Sequence, residues 1–241
     1  MKFQLKAAIA VALTSFAAMS ANATIVTVFD AVAPGVASFN ATVAAAGGTA
    51  TADNLDITSS TSIVRPDYTI TAPDGSTLFA TSYGTLSGDV ISIDPEGPSV
   101  VPRSDPNDYK NSGVTFTFNS AINAIGFEVG DWGTCCQPSA LFISFGNGAP
   151  IQVGLSTTGD EGYFNNRYEI FVAAFDDTGD FNKVTFWGDG IGEVLVAGGT
   201  VRYALLDQGS LPPTGVPEPG TLALLGLGLV GLGMSRRKKV A

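Results

Sequence analysis

From Gly113 onward, apolar and polar residues take turns along the chain. Val114, Phe116 and Phe118 alternate with Thr115 and Thr117. A period of two sends successive side chains to opposite faces of a strand, so this segment belongs in a sheet with one face buried. Ile122 to Val129 reads as the next strand. Leu141, Ile143 and Phe145 lead into Gly146-Asn147-Gly148, and Ile151, Val153 and Leu155 lead out. Asn-Gly between alternating segments is the strongest short-range hairpin signal. Tyr168 to Ala174, Lys183 to Trp187 and Glu193 to Leu205 supply further strands. Many short strands at regular spacing, punctuated by Gly and Pro, predict an all-β fold. Two packed sheets follow, in a sandwich of jelly-roll or Greek-key type.

The first half of the chain is less regular. Thr24 to Phe29 reads as a strand around Ile25, Val26 and Val28. Val36, Phe39, Val43 and Ala46 are spaced by three and four, which predicts one short amphipathic helix from Val36 to Ala46. Pro34 near its start and Gly47-Gly48 after its end agree. Leu55 to Thr58, Ser62 to Arg65 and Tyr68 to Thr71 read as short strands, with a tight turn at Asp74-Gly75. Asp94 to Asn111 carries Pro95, Pro98, Pro102 and Pro106. Prolines withhold ladder donors, so a long exposed loop is expected there.

The two ends carry targeting chemistry. Lys2 and Lys6 precede an apolar run from Ala7 to Ala18, and Ala21-Asn22-Ala23 follows. A basic start, a short apolar core and small residues at Ala21 and Ala23 predict a signal peptide over residues 1–23, cut by signal peptidase after Ala23. Residues 24–210 are then the ectodomain. Residues 211–220 form a stiff linker, because Pro212, Pro213, Pro217 and Pro219 hold the backbone extended. Residues 221–241 hold an uncharged run, Thr221 to Met234, and four bases, Arg236, Arg237, Lys238 and Lys239. That pattern predicts a short C-terminal transmembrane helix whose basic end stays in the cytoplasm. Both ends therefore place the ectodomain outside the inner membrane.

Val216-Pro217-Glu218-Pro219-Gly220, the Leu/Gly run and the terminal basic cluster together resemble the PEP-CTERM sorting signal of Gram-negative bacteria. The resemblance implies an exosortase as processing partner, with Pro217, Glu218 and Pro219 read by that enzyme. It implies removal of the tail and release or attachment at the cell surface, often in bacteria that make exopolysaccharide and biofilm. The stretch from "GVTFTFNSAINAIGFEVGDW" through "FGNG" and "KVTFWGDG" to "VRYALL" is similar to ectodomains that precede such tails. These look like the β-sandwiches of carbohydrate-binding modules, and they lack an agreed activity.

Composition narrows the chemistry. Between Thr24 and Val216 there are 21 acids against six bases, a net charge of −15. Such a surface repels nucleic-acid phosphates and suits a solvated exported protein, or one that collects divalent cations. The chain has no histidine. That removes Ser-His-Asp and Cys-His catalysis, His-ligated zinc and the usual proton shuttle near neutrality. The expectation is a protein that is not an enzyme. Carboxylate-based hydrolysis is the lesser alternative, and no spacing singles out a catalytic pair.

Three local features are candidate sites. Cys135 and Cys136 are adjacent; they form a strained vicinal disulfide, pair between chains, or stay as thiols. Asp131 and Trp132 offer a glycan contact if the indole is exposed, or the indole closes one end of the core. Asp176, Asp177 and Asp180 crowd one loop, as Asp160 and Glu161 do another. Loop carboxylates are Ca²⁺ ligands or solvated turn residues, and neither loop has EF-hand spacing. No other cofactor is expected. Exopolysaccharide and, transiently, the inner membrane are the expected partners, and nucleic acid is excluded.

Overall fold

A computed structural model describes residues 24–93, 113–132, 139–156, 169–188 and 195–211. Strands are numbered along the chain. One sheet runs in the order β1 (Thr24–Phe29), β11 (Glu169–Asp176), β8 (Ala124–Gly130), β13 (Leu195–Ala204), β6 (Val90–Ile93) and β5 (Phe79–Thr81). β2 (Thr51–Asn54) joins it beside the second half of β13. The other sheet runs β10 (Ile151–Ser156), β9 (Ser139–Phe145), β12 (Phe181–Gly188), β7 (Val114–Ile122), β4 (Tyr68–Thr71) and β3 (Ser62–Val64). The neighbouring strands pair antiparallel. β7, β8 and β9 alternate between the sheets, as do β11, β12 and β13. The all-β two-sheet sandwich is therefore present.

The period-two pattern supplies the inner layer. Ile125, Phe127 and Val129 of β8 and Ile170, Val172 and Ala174 of β11 face Phe116, Ile143, Val184 and Phe186 of the second sheet. Phe127 sits between two rings of the opposite sheet, 5.9 Å from Phe116 and 4.8 Å from Phe186. The Phe186 contact is edge-to-face at 72°, a geometry that adds to the burial energy of the rings. The expected hairpin joins β9 to β10, but its turn centres on Gly146-Asn147 rather than Asn147-Gly148: Gly146 takes φ 57° and Gly148 N–H donates to Phe145 O.

The helix α1 (Val32–Ala45) begins four residues before the predicted start. Its first turn accepts Pro34, whose missing N–H has no helical partner to lose there. Gly35 is selected by contact: a Cβ would lie 2.5 Å from Cβ of Phe171. The helix ends where Gly47 takes φ 77°, with Gly47 N–H donating to Ala44 O and Gly48 N–H to Val43 O. That is a Schellman closure. Phe39 and Val43 cover Phe171, Ala173, Phe175 and Ala124 on the outer face of the first sheet.

Two expectations change. The predicted strand at Leu55 to Thr58 falls instead on residues 51–54, which pair with Thr200 to Tyr203 of β13. Leu55 leaves the ladder and is buried in the core, 1 % exposed. Backbone pairing places the polar segment Thr-Ala-Asp-Asn in the sheet, and side-chain periodicity has nothing to report there. β5 and β6 also form where no strand was predicted. The signal peptide, the loop over 94–111 and the C-terminal helix lie outside the described residues. Among the described residues, no helix is long and apolar enough to cross a membrane.

Candidate functional site

The outer face of the first sheet has two covers. One half lies under α1. The other lies under the segment 83–89, which is anchored at every second residue. Tyr83 Oη donates to Asp131 Oδ1 at 3.1 Å. Thr85 donates its amide to Glu169 Oε1 at 2.6 Å and its hydroxyl to Oε2. Ser87 donates both amide and hydroxyl to the buried Glu128. Asp89 accepts from the Ile57 amide at 2.8 Å. Glu128 also faces a bulge in β13, where Gly198 and Gly199 take φ 144° and 65°. A Cβ on Gly199 would lie 2.5 Å from Glu128 Oε2, so only glycine lets the carboxylate fill the bulge. Burial pushes Arg202 below its ordinary range, and the charge of Glu128 partly opposes that.

A second polar cluster ties the two sheets together at one end. Arg65 donates from Nη2 and Nε to the two oxygens of Asp53, at 2.6 and 2.9 Å. Tyr68 Oη donates to Asp53 Oδ2 at 2.7 Å. The Arg65 hydrogen bonds hold the Asp53 carboxyl below the usual range, against the effect of burial and with help from Tyr68. Burial, then the bond to Asp53, pushes the Tyr68 phenol well above its ordinary range.

Beside this cluster opens a groove of about 270 Å³. The end of β7, the end of β13, Thr49, Thr51 and Asp67 form its walls. Phe118 and Tyr203 make its floor, with ring centroids 5.0 Å apart. Tyr203 Oη donates to Asp67 Oδ2 at 2.5 Å. Burial first, and that bond second, raise the Tyr203 phenol, so it remains a donor and orients Asp67. Asn119 Nδ2 donates to Pro66 O at 3.1 Å, which turns its carbonyl oxygen away from that contact. Leu205 stands half exposed at the rim. The groove thus combines an apolar floor with oriented acceptors, the usual construction of a small-ligand site.

The residues singled out in the sequence have other surroundings. Trp132 is 2 % exposed and packs in the inter-sheet core, against Gly154. Its ring therefore closes the core and offers no face to a sugar. Asp131 takes φ 61° and accepts from Tyr83. Asp176 accepts from the amide and hydroxyl of Thr178. Asp177 is buried and accepts from the Leu211 amide at 2.9 Å. Asp180 is exposed. Asp131, Asp176 and Asp177 thus serve local turn and backbone geometry. Among the described residues, no group of three carboxylates or thiols is placed to hold a metal ion. Ala21, Ala23, Cys135, Cys136, Asp160, Glu161, Pro217, Glu218, Pro219, Arg236, Arg237, Lys238 and Lys239 lie outside the described residues.

Sequence reading missed the groove and the anchors of segment 83–89. Glu128 carried a signal: an acid within Ile125 to Val129, flanked by Gly126 and Gly130. A charge at the centre of an apolar strand requires partners, and strand glycines mark close approach. Nothing local connects Asp67 to Tyr203, which stand 136 positions apart.

The described residues thus form a two-sheet β-sandwich with a groove at one end. Residues 215–238 match the PEP-CTERM protein-sorting motif. The motif implies an exported, membrane-processed surface protein sorted by an exosortase. No curated protein matches the chain. Among solved structures, the chain is similar to a mutant of a family 29 carbohydrate-binding module prepared to probe ligand recognition. The identity is 14 %, with 70 % of this chain and 99 % of that chain covered and a TM-score of 0.34. A likeness so distant transfers neither topology nor ligand.

Proposed function

We propose that this chain is a non-enzymatic protein of the cell surface or extracellular matrix, delivered by exosortase processing and associated with exopolysaccharide. The observation that carries the reading is the sorting motif at residues 215–238. In this reading residues 1–23 direct export and are removed after Ala23. A helix from about residue 221 holds the precursor in the inner membrane until the enzyme acts near Pro217-Glu218-Pro219. The absence of histidine and the strongly acidic ectodomain support a structural or binding role over a hydrolytic one. The second reading, a carbohydrate-binding module, is favoured by the groove beside Asp67 and Tyr203.

Intact mass and cell fractionation in hosts with and without the exosortase test the proposal. The expected product in the normal host begins near Thr24 and ends near Glu218, and the deletion host retains the tail in its inner membrane. A tail that persists equally in both hosts overturns it.

A further inference from the structure

The groove has a chemical bias that the sorting motif does not supply. Asp67 is exposed, and one of its carboxylate oxygens is used by Tyr203. Among the described residues, nothing donates to the other oxygen, Oδ1. The same holds for the side-chain oxygen of Asn119, whose amide nitrogen is committed to Pro66 O. Both residues line the groove. Two side chains with an uncommitted acceptor oxygen therefore line one small volume. Thr49, Thr51 and Ser120 add hydroxyls that both donate and accept.

The remaining lining is apolar and fixed. Phe118 and Tyr203 pack on each other and on Tyr68, at 5.0 and 5.7 Å, so the floor is held by the inter-sheet core. Leu205 projects beside it at 50 % exposure. None of the residues lining the groove is basic. An acid in the wall and a net charge of −15 between Thr24 and Val216 disfavour phosphates, sulfates and uronates. Long apolar ligands would leave the Asp67 and Asn119 oxygens without donors, which costs binding energy. The complement is a compact neutral ring with hydroxyls on its edge and C–H groups on its face.

We infer that this groove binds a neutral pyranose unit. Ring hydroxyls donate to Asp67 Oδ1 and Asn119 Oδ1, and the C–H face lies against the half-exposed Leu205 at the rim. The inference deepens the exopolysaccharide reading and rests on it. Tyr203 acts as a positioning residue, because its hydrogen bond to Asp67 aims the carboxylate that meets the sugar.

The test uses the full chain in a zwitterionic, sugar-free detergent. Methyl glycosides of glucose, galactose and mannose serve as probes, followed by saturation-transfer NMR at up to about 10 mM, where contacts this few give measurable binding. Asp67→Asn keeps an acceptor for Tyr203 and loses the charge. Ser120→Trp fills the groove from an exposed position. At least one pyranoside should bind, and each variant should weaken it by about tenfold or more without moving the unfolding midpoint. If Asp67→Asn lowers the midpoint, Ser120→Trp decides alone. Binding that survives both variants, or no binding of any probe to the unaltered chain, overturns the groove assignment. Co-sedimentation with the host's exopolysaccharide judges the broader reading separately. A chain that sediments with the polymer but ignores the pyranosides loses the groove and keeps the matrix role; one that does neither loses both.

Discussion

The two halves of the first sheet's outer face are covered by opposite means. Under α1 the contact is apolar: Phe39 stacks on Phe175 at 5.1 Å and meets Phe171 edge-on at 6.3 Å. Under segment 83–89 the contact is polar, with Glu128, Glu169 and Asp131 receiving the hydrogen bonds. Both halves require glycine in β8. Gly126 admits the Phe171 ring and Gly130 the Tyr83 ring, at 2.6 and 2.5 Å from where a Cβ would stand. An apolar cover tolerates small slides, because burial is roughly proportional to area. A hydrogen-bonded cover does not, because each donor must find its acceptor within a few tenths of an ångström.

The largest way to break the comparison is Phe39→Ala. It removes a fully buried ring from the helix side and should cost about 3–5 kcal/mol in urea unfolding. Glu128→Gln comes next, at about 1–3 kcal/mol. The new NH₂ must face either the Ser87 amide or, turned over, the Thr200 amide, and a buried donor left facing a donor loses its hydration without replacement. Hydrogen exchange separates the two variants. Glu128→Gln should accelerate exchange at the Ser87 amide and leave the Val43 amide protected, whereas Phe39→Ala should lower protection in both halves. Equal acceleration in both halves by Glu128→Gln would make the covers one cooperative unit.

The apolar cover was legible in the sequence and the polar one was not. Phe39 and Val43 lie at helical spacing, and Pro34 and Gly47-Gly48 bracket them, so local pattern alone locates a helix with one buried face. Segment 83–89 reads as Tyr-Gly-Thr-Leu-Ser-Gly-Asp, a run of turn residues. Its order comes from acids 41 to 84 positions away, a relation that no window of the sequence contains. The same reason hid the groove, whose walls join at Asp67 and Tyr203 only after β4 and β13 have found their sheets. The sandwich itself was readable because alternation within β7, β9 and β12 is local. The position of β2 was not, since its pairing with β13 depends on backbone donors that every sequence possesses.

The Arg65–Asp53–Tyr68 cluster extends the comparison to a polar contact that is partly solvated. Asp53→Asn should cost about 1–2 kcal/mol at neutral pH, since it loses charge-assisted bonds at 17 % side-chain exposure. The folded-state pKa of Asp53 is depressed, so its contribution is present above the unfolded value of about 4 and is lost as pH falls through the folded one. The phenols of Tyr68 and Tyr203 are raised. Their contribution is present below about pH 10 and is lost as pH rises, because the unfolded chain ionises first. Urea midpoints across this range should fall at both ends, and Asp53→Asn should flatten the acid limb. An unchanged acid limb would move the acid sensitivity to other carboxylates.

The smallest effect belongs to Glu169, which receives Thr85 at the exposed end of the polar cover. Glu169→Ala removes acceptors from an amide and a hydroxyl that water can reach at once. The loss in global stability should therefore stay near 0.5 kcal/mol, within the range of surface substitutions. Its local effect should be larger than its global one. Exchange at the Thr85 amide should speed markedly while Ser87, bound to buried Glu128, stays slow. That outcome would show the anchors acting one by one along the segment, graded by burial. Loss of protection at Ser87 as well would mean that the segment lifts as a single piece, and that its outermost carboxylate controls access to the buried one beneath.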